Sequence, residues 1–178
     1  MPIIRPGRDE DIAAITAIYT HHVLRGTATF ELEPPSPADM QARRAEVLAR
    51  GLPWLVAEDQ GLVLGYAYCN WFRPRPAYRF TAEDSIYLAP QASGQGIGRA
   101  LLTELVTAAE RAGMRKMIAV IGDSANAASI GLHRACGFTP VGVLTSSGWK
   151  FGRWLDTVLM EKALGRGNST APDGPSHP

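Results

Sequence analysis

Cysteine is scarce in this chain. Its 178 residues hold two, Cys69 and Cys136, too few for a disulfide framework, and both stand in apolar stretches that suit packing rather than covalent acyl transfer. Neither sign of charge dominates. Eighteen Lys and Arg against 17 Asp and Glu leave a net +1 spread along the chain, with no basic stripe for nucleic acid or for an anionic membrane surface. Long apolar runs are missing too: the longest nearly unbroken one, Leu62 to Phe72, falls far below the roughly 18 residues of a spanning helix and reads as a buried strand. The opening Met-Pro-Ile-Ile-Arg-Pro lacks the charged, apolar and small-residue succession of a signal peptide, so a reduced, cytoplasmic protein is expected. His21 and His22 are adjacent on a helix and face different ways, so they lack metal-ligand geometry, and no metal is expected. No internal repeat is visible.

What is present fits one compact domain acting on a small molecule. A chain of 178 residues with 46% hydrophobic content has enough surface to bury for one sizeable core and is cramped for two. Ile3 to Arg5 reads as a strand, and Asp9, Glu10 and Asp11 open a helix carrying Ile12, Ile15, Ile18 and Tyr19 at helical spacing. Ser36, Pro37 and Asp39 supply an N-cap, a first-turn proline and a capping acid for a second helix that Gly51 ends. Trp54 to Glu58 and Leu62 to Phe72 form a hairpin around Asp59-Gln60-Gly61, continued by Phe80 to Leu88. A third helix from about Arg99 stops at Gly113, Lys116 to Ile121 is a strand, and Asn126 to Cys136 is a short helix ending at Gly137. Phe138 to Leu144 and Asp156 to Lys162 are the last strands. The Gly-, Pro- and Ser-rich residues 165–178 are set apart as a flexible tail, leaving a domain over residues 1–164. The class is mixed α/β (α+β) around a largely antiparallel sheet.

Residues 85 to 112 run as strand, glycine-rich turn and helix. Gly94, Gly96 and Gly98 remove side chains where a backbone approaches a ligand closely, and the helix behind them aims unpaired N–H groups and a positive dipole end at the same place. An anionic cofactor is expected there. A P-loop requires Lys and then Ser or Thr after its last glycine, whereas Arg99 and Ala100 follow Gly98, which disfavours a nucleotide triphosphatase. The glycines run G-x-G-x-G rather than G-x-G-x-x-G, and Asp123 lies about where a ribose-binding acid belongs. A nicotinamide cofactor therefore stays an alternative, against which the mid-chain position counts.

Ser93-Gly-Gln-Gly-Ile-Gly98 resembles the Q/R-x-x-G-x-G/A pyrophosphate loop of the GNAT acetyl-CoA-dependent N-acetyltransferases, with Ser93 in place of Gln or Arg. A register beginning at Gln91 matches as well. Downstream, Asn126-Ala-Ala-Ser129-Ile-Gly-Leu132-His133-Arg-Ala-Cys-Gly137-Phe138 resembles the segment that lines the pantetheine arm in that family. His133 stands where many members place a tyrosine near the coenzyme sulfur. The Leu132-His133 pair, Thr27 to Glu31, Arg73 to Tyr78, Glu83 to Tyr87, Ala119 to Gly122 and Gly148 to Asp156 resemble the branch acetylating phosphinothricin and methionine sulfoximine. The likeness spans residues 2 to 163. It implies a GNAT fold, a single domain whose central twisted, mostly antiparallel mixed sheet is flanked by helices. It implies acetyl transfer from acetyl-CoA to the α-amine of a small amino-acid analogue such as phosphinothricin, methionine sulfoximine or methionine sulfone, usually by a homodimer. Implied coenzyme contacts are Tyr87, Leu88, Ala89, Gly94, Gln95, Gly96, Ile97, Gly98, Arg99, Asn126 and Ser129. Implied substrate contacts are Phe30, Glu31, Arg75, Tyr78, Glu83, Ser85 and Lys150.

An ammonium must lose a proton before it attacks a thioester, and Glu83, on the strand that feeds the glycine turn, is the candidate base, through an ordered water if its pKa is not raised by burial. Asp84 points to the other strand face and is the poorer choice. In the family a bulge in this strand frees main-chain donors for an oxyanion, which casts Tyr87 and Leu88 as backbone contributors. His133 is either a packing residue or a hydrogen-bonding and proton-donating group at the thioester. Arg73, Arg75 and Arg79, set among Trp71, Phe72, Tyr78 and Phe80, are either forked donors for a carboxylate or a solubilising loop, with Arg75 and Tyr78 the family-matched pair. Phe30 and Glu31 are placed to close the pocket. Trp149, Phe151 and Trp154 read as core or dimer surface, with Lys150 in reach of a neighbouring subunit's site. The alternatives are transfer to another amine, such as a polyamine or protein N-terminus, and a non-catalytic acyl-CoA sensor.

Overall fold

Acidic crowding starts the first helix. Asp9–Asp11 form a 3-10 turn that leads into α1 (Ile12–Arg25), and Arg5 on β1 (Ile3–Pro6) forks onto both oxygens of Asp11 at 2.7 and 2.8 Å while bonding Glu58 at 2.6 Å. A bidentate guanidinium thus ties β1 to the turn and to β2 (Trp54–Asp59). The computed structural model describes residues 2–172. In α2 (Pro37–Ala49) the expected capping box is complete, with Ser36 Oγ accepting the Asp39 amide and Asp39 Oδ2 accepting the Ser36 amide. β2 and β3 (Leu62–Trp71) form the expected hairpin, and β4 (Thr81–Leu88), α3 (Ile97–Arg111), β5 (Lys116–Gly122) and α4 (Ala127–Ala135) follow.

All strands join one seven-stranded sheet of order β1-β2-β3-β4-β5-β7-β6, where β6 is Thr139–Lys150 and β7 is Arg153–Ala163. Among the described residues only β4 and β5 run parallel. Side-chain alternation sorts the helices onto the two faces. Gly65 faces Leu101 of α3, whereas its neighbour Tyr66 packs against Tyr87, whose ring meets Tyr19 of α1. Leu101, Leu102 and Leu105 of α3 are fully buried with Val56, Ala67 and Met117 in the centre of the core.

Element boundaries differ from the sequence reading most in two regions. The third helix starts at Ile97 instead of about Arg99, because Gly96, at φ 78°, already serves as its N-cap. The last two strands are longer than expected, since Phe151 and Gly152, at φ 52° and 71°, close a tight hairpin. The polar stretch Thr145–Ser147 is absorbed as a register shift, with the Ser146 amide donating to Asp156 Oδ1 at 2.9 Å. Residues 165–172 follow β7, and Arg115 donates to Thr170 Oγ1 and the Ala171 carbonyl; residues 173–178 of the expected tail lie outside the described residues.

Leu105 is the most direct test of this core. Leu105→Ala should cost about 2–5 kcal/mol from lost burial plus the cavity left behind, read as a lower urea midpoint with an unchanged slope.

Candidate active site

Four residues set the site by where they stop pairing. Thr81 to Asp84 pair in parallel with Lys116 to Ala119, but β5 then continues alongside β7 as far as Gly122 opposite Thr157, and β4 goes on with β3 alone. Beyond Asp84 the two strands part. The Phe72 amide donates to the Thr81 carbonyl and the Ala89 amide to the Leu64 carbonyl, so strict alternation turns the odd-numbered residues of β4 toward β3 and the amides of Ile86 and Leu88 into the opening. This corrects the expected oxyanion donors. The β3–β4 register is unbroken from Trp71–Ala82 to Gly65–Leu88, so this strand has no bulge; the Tyr87 amide is directed at β3, and the freed donors are those of Ile86 and Leu88.

His22 reaches the same place from α1, its Nε2 lying 2.8 Å from the Leu88 carbonyl. A carbonyl only accepts, so Nε2 carries the proton. Burial holds the His22 pKa below its ordinary value, although the Leu88 bond opposes this, so the ring is neutral near pH 7. Sequence reasoning had dismissed this histidine as a metal ligand, and nothing in the sequence signals its backbone partner. Among the described residues no group of three His, Cys, Asp or Glu is placed to hold a metal.

The opening between β4 and β5 is a cavity of about 220 Å³, roofed by Thr29 and Phe30 and bounded by Ser129 and His133 of α4. Glu83 and Ser85 lie in its wall, as expected. Burial raises the Glu83 pKa, the charge of Asp84 raises it further, and Arg73 opposes both. This is the tuning a proton acceptor needs near neutral pH.

Asp84 and His133 form a buried pair across the floor. His133 Nε2 is 2.9 Å from Asp84 Oδ2, with the two side chains 3% and 2% exposed, and His133 Nδ1 is 2.8 Å from the Ser129 carbonyl. Burial works against a charged ring, but Asp84 and the Ser129 carbonyl outweigh it and raise the His133 pKa. Both ring nitrogens therefore donate. With both protons bound to protein acceptors, His133 fits the packing alternative better than the proton-donating one.

The glycine turn has the expected form. Gly94 and Gly96 sit at φ 76° and 78° with nothing within 4 Å of where a Cβ would stand, and no side chain caps the first turn of α3. Gln95 donates to the Gln91 carbonyl and Arg99 is exposed, while Ile97 and Ala89 are buried. Gly98 fits between Leu132 and Leu88, which lets α3 approach α4 closely. Asn126 lines the cavity, but its Oδ1 caps α4 by accepting the Ser129 amide.

Four of the expected substrate contacts stand away from this cavity. Glu31 does not point its charge at the cavity: Arg43 grips it at 2.6 and 3.1 Å and Tyr19 donates to it at 2.9 Å. Lys150 is 3% exposed and donates to the Thr29 carbonyl of its own chain at 2.8 Å. Arg75 and Tyr78 line a separate depression with Arg73. Phe30 is where it was expected, seated on two glycines that sequence reasoning passed over: a Cβ on Gly148 would strike its ring, and one on Gly122 would strike the Thr27 carbonyl oxygen.

The pattern shared by the acetyltransferase (GNAT) family matches residues 15–138. The chain belongs to the GNAT family. It is 58% identical to a phosphinothricin N-acetyltransferase of Alcaligenes faecalis, the match covering 96% of this chain and 86% of that protein. It is 42% identical to an L-methionine sulfoximine/L-methionine sulfone acetyltransferase of Salmonella typhimurium, over 96% of this chain and 98% of that one. A GNAT phosphinothricin acetyltransferase from Sinorhizobium meliloti, solved in complex with acetyl-CoA, superposes with a TM-score of 0.95 at 48% identity, covering 99% of this chain and 96% of the other. The fold is thus the GNAT fold read from the sequence.

The His133 pair makes stability depend on pH in a stated direction. A folded-state pKa raised above the unfolded value of about 6.5 contributes stability that is complete below that pH and is lost as pH rises through the folded value. Denaturant melts from about pH 6 to 9 should show the wild type losing stability relative to Asp84→Asn as pH rises. A constant difference between the two would contradict the pairing.

Proposed function

We propose that this GNAT acetyltransferase transfers the acetyl group of acetyl-CoA to the α-amine of a small amino-acid analogue, phosphinothricin, methionine sulfoximine or methionine sulfone, by direct attack. The observation that carries the reading is a carboxylate in the cavity wall, Glu83, with a raised pKa beside a strand edge bearing free amides. The residues present fit acetyl-CoA: an open two-glycine cradle precedes an uncapped helix N-terminus, as a pyrophosphate requires. Gly94 to Arg99 would hold the diphosphate, and Ala89, Asn126 and Ser129 would flank the pantetheine arm. When bound, the coenzyme supplies the activated acyl group.

Glu83 takes the proton of the incoming ammonium, through a water where the carboxylate does not touch it, leaving the amine lone pair free. The amides of Ile86 and Leu88 offer two donors for an acyl oxygen without any reorganisation. Phe30 and Ser85 shape the amine end. Arg73, Arg75 and Tyr78 lie on the turn that leads into Glu83's strand, and the charge of Arg73 is felt at Glu83, so this depression is assigned to the substrate carboxylate. A polyamine would need more than one free carboxylate, and Asp84 is already matched by His133.

A thiol-release assay with acetyl-CoA should give turnover with the amino-acid analogues and far less with polyamines or peptides. Glu83→Gln should lower kcat by about 10²–10⁴-fold. Calorimetric binding of acetyl-CoA without turnover on any amine would support an acyl-CoA sensor instead.

We also propose that the protein is a homodimer through β6 and β7. Val143, Leu144, Trp149, Phe151 and Trp154 are 50–62% exposed on the edge hairpin of the sheet, an apolar, unpaired edge that soluble monomers avoid. Sedimentation should give a dimer, and the double variant Val143→Lys, Trp154→Glu should shift it toward monomer.

A further inference from the structure

The most heavily buried charges in the site are not those assigned to the amine. Asp84 is the last residue of β4 that pairs with β5, opposite Ala119. Its Oδ2 receives His133 Nε2 from α4, and its Oδ1 is buried without any partner. A buried ion pair with one bare oxygen is a poor choice for packing, since an apolar pair of similar volume would serve stability as well or better. Something other than packing has to account for it.

We propose that Asp84 is a positioning residue for acetyl transfer: pinned by His133 where β4 and β5 part, it locks α4 to the strand of Glu83 and keeps a negative charge beside that acceptor. The inference rests on Glu83 being the proton acceptor. Alternation puts Asp84 on the strand face opposite Glu83, so it acts through its neighbour and not on the amine.

Each element around Glu83 supports this division. On its own strand Asp84 is the charged neighbour, and from the turn before β4 comes Arg73, of opposite effect. From β3 the cross-strand partner Asn70 is uncharged, and the Tyr68 hydroxyl is the titratable group that senses Glu83. From β5 the partner is Ile118. Among the described residues Asp84 is therefore the group whose charge favours a protonated Glu83, and His133 balances it from the far face.

The test is the pH profile of kcat/KM, measured on the wild type, Glu83→Gln, Asp84→Asn and His133→Gln. Asp84→Asn removes the neighbouring charge, so the acid limb should move to lower pH. His133→Gln leaves a buried carboxylate without its counter-ion, a charge that a protein interior neutralises rather than bears, so the limb should move to lower pH as well. A merely structural pair would lower the rate without moving the limb. The double variant should lose little more activity than either single one, since each already breaks the pair. Persistence of the acid limb in Glu83→Gln would remove the acceptor reading itself. Loss of the limb in Glu83→Gln, together with an unmoved limb in both other variants, would overturn the role of Asp84 and leave that reading standing. Should Asp84→Asn not fold, His133→Gln alone decides the matter by the direction of its shift.

Discussion

Two parallel strands that pair for four residues and then separate are the constraint on which this site depends. Continued pairing of β4 with β5 would have consumed the amides of Ile86 and Leu88 and left no room between the strands. Separation has a cost, because backbone groups left without partners inside a protein are unfavourable. The structure offsets part of it with His22, which takes the Leu88 carbonyl from α1. The remaining donors are left free for a ligand oxygen, and the proposed chemistry draws on that unpaired edge.

The same separation explains why so much polar machinery surrounds the loop before α2. Thr29, Phe30 and Glu31 have little apolar surface of their own beyond one ring, and they are held by contacts from three directions. Tyr19 bonds Thr29 and Glu31, Arg43 grips Glu31, and Lys150 donates to the Thr29 carbonyl. With the backbone fixed, the Phe30 ring settles into space that Gly122 and Gly148 leave free. Glu31 and Lys150 are implied as substrate contacts by the family resemblance, but their charges hold the loop of Thr29 and Phe30 in place. Lys150 comes from the hairpin that also bears the exposed aromatics, so the pocket wall and the proposed dimer surface share a strand.

Much of this was legible in the sequence, and the losses have particular causes. Ser36 and Asp39 announced their helix because a capping box is a local device, and Gly94 and Gly96 announced a cradle because left-handed turns restrict residue choice. Glu83 followed from its place on the strand that feeds the glycine turn, and Ser85 from the family resemblance. The register of β4 did not, since the amides that face the opening depend on which neighbour β3 supplies, and no property of residues 85–88 records it. Thr145–Ser147 misled for the opposite reason. Their composition is that of a loop, but Asp156 and Ser146 bond across the register shift and keep the strand going.

The pair formed by Asp84 and His133 lies at the limit of sequence reading, because 49 residues separate its members. Side-chain alternation correctly put Asp84 on the face away from Glu83, and that is why it was set aside as a base. The same fact gives it a different use. A carboxylate on the far face cannot take the amine's proton, but an electrostatic influence does not require contact, and the low dielectric of a buried site lengthens its reach. Had a neutral residue stood at position 84, Glu83 would keep only its partial burial against the opposing charge of Arg73, and the carboxylate would hold a proton less readily. The strand therefore carries two acids in different settings, Glu83 in the cavity wall and Asp84 sealed against His133 on the other face.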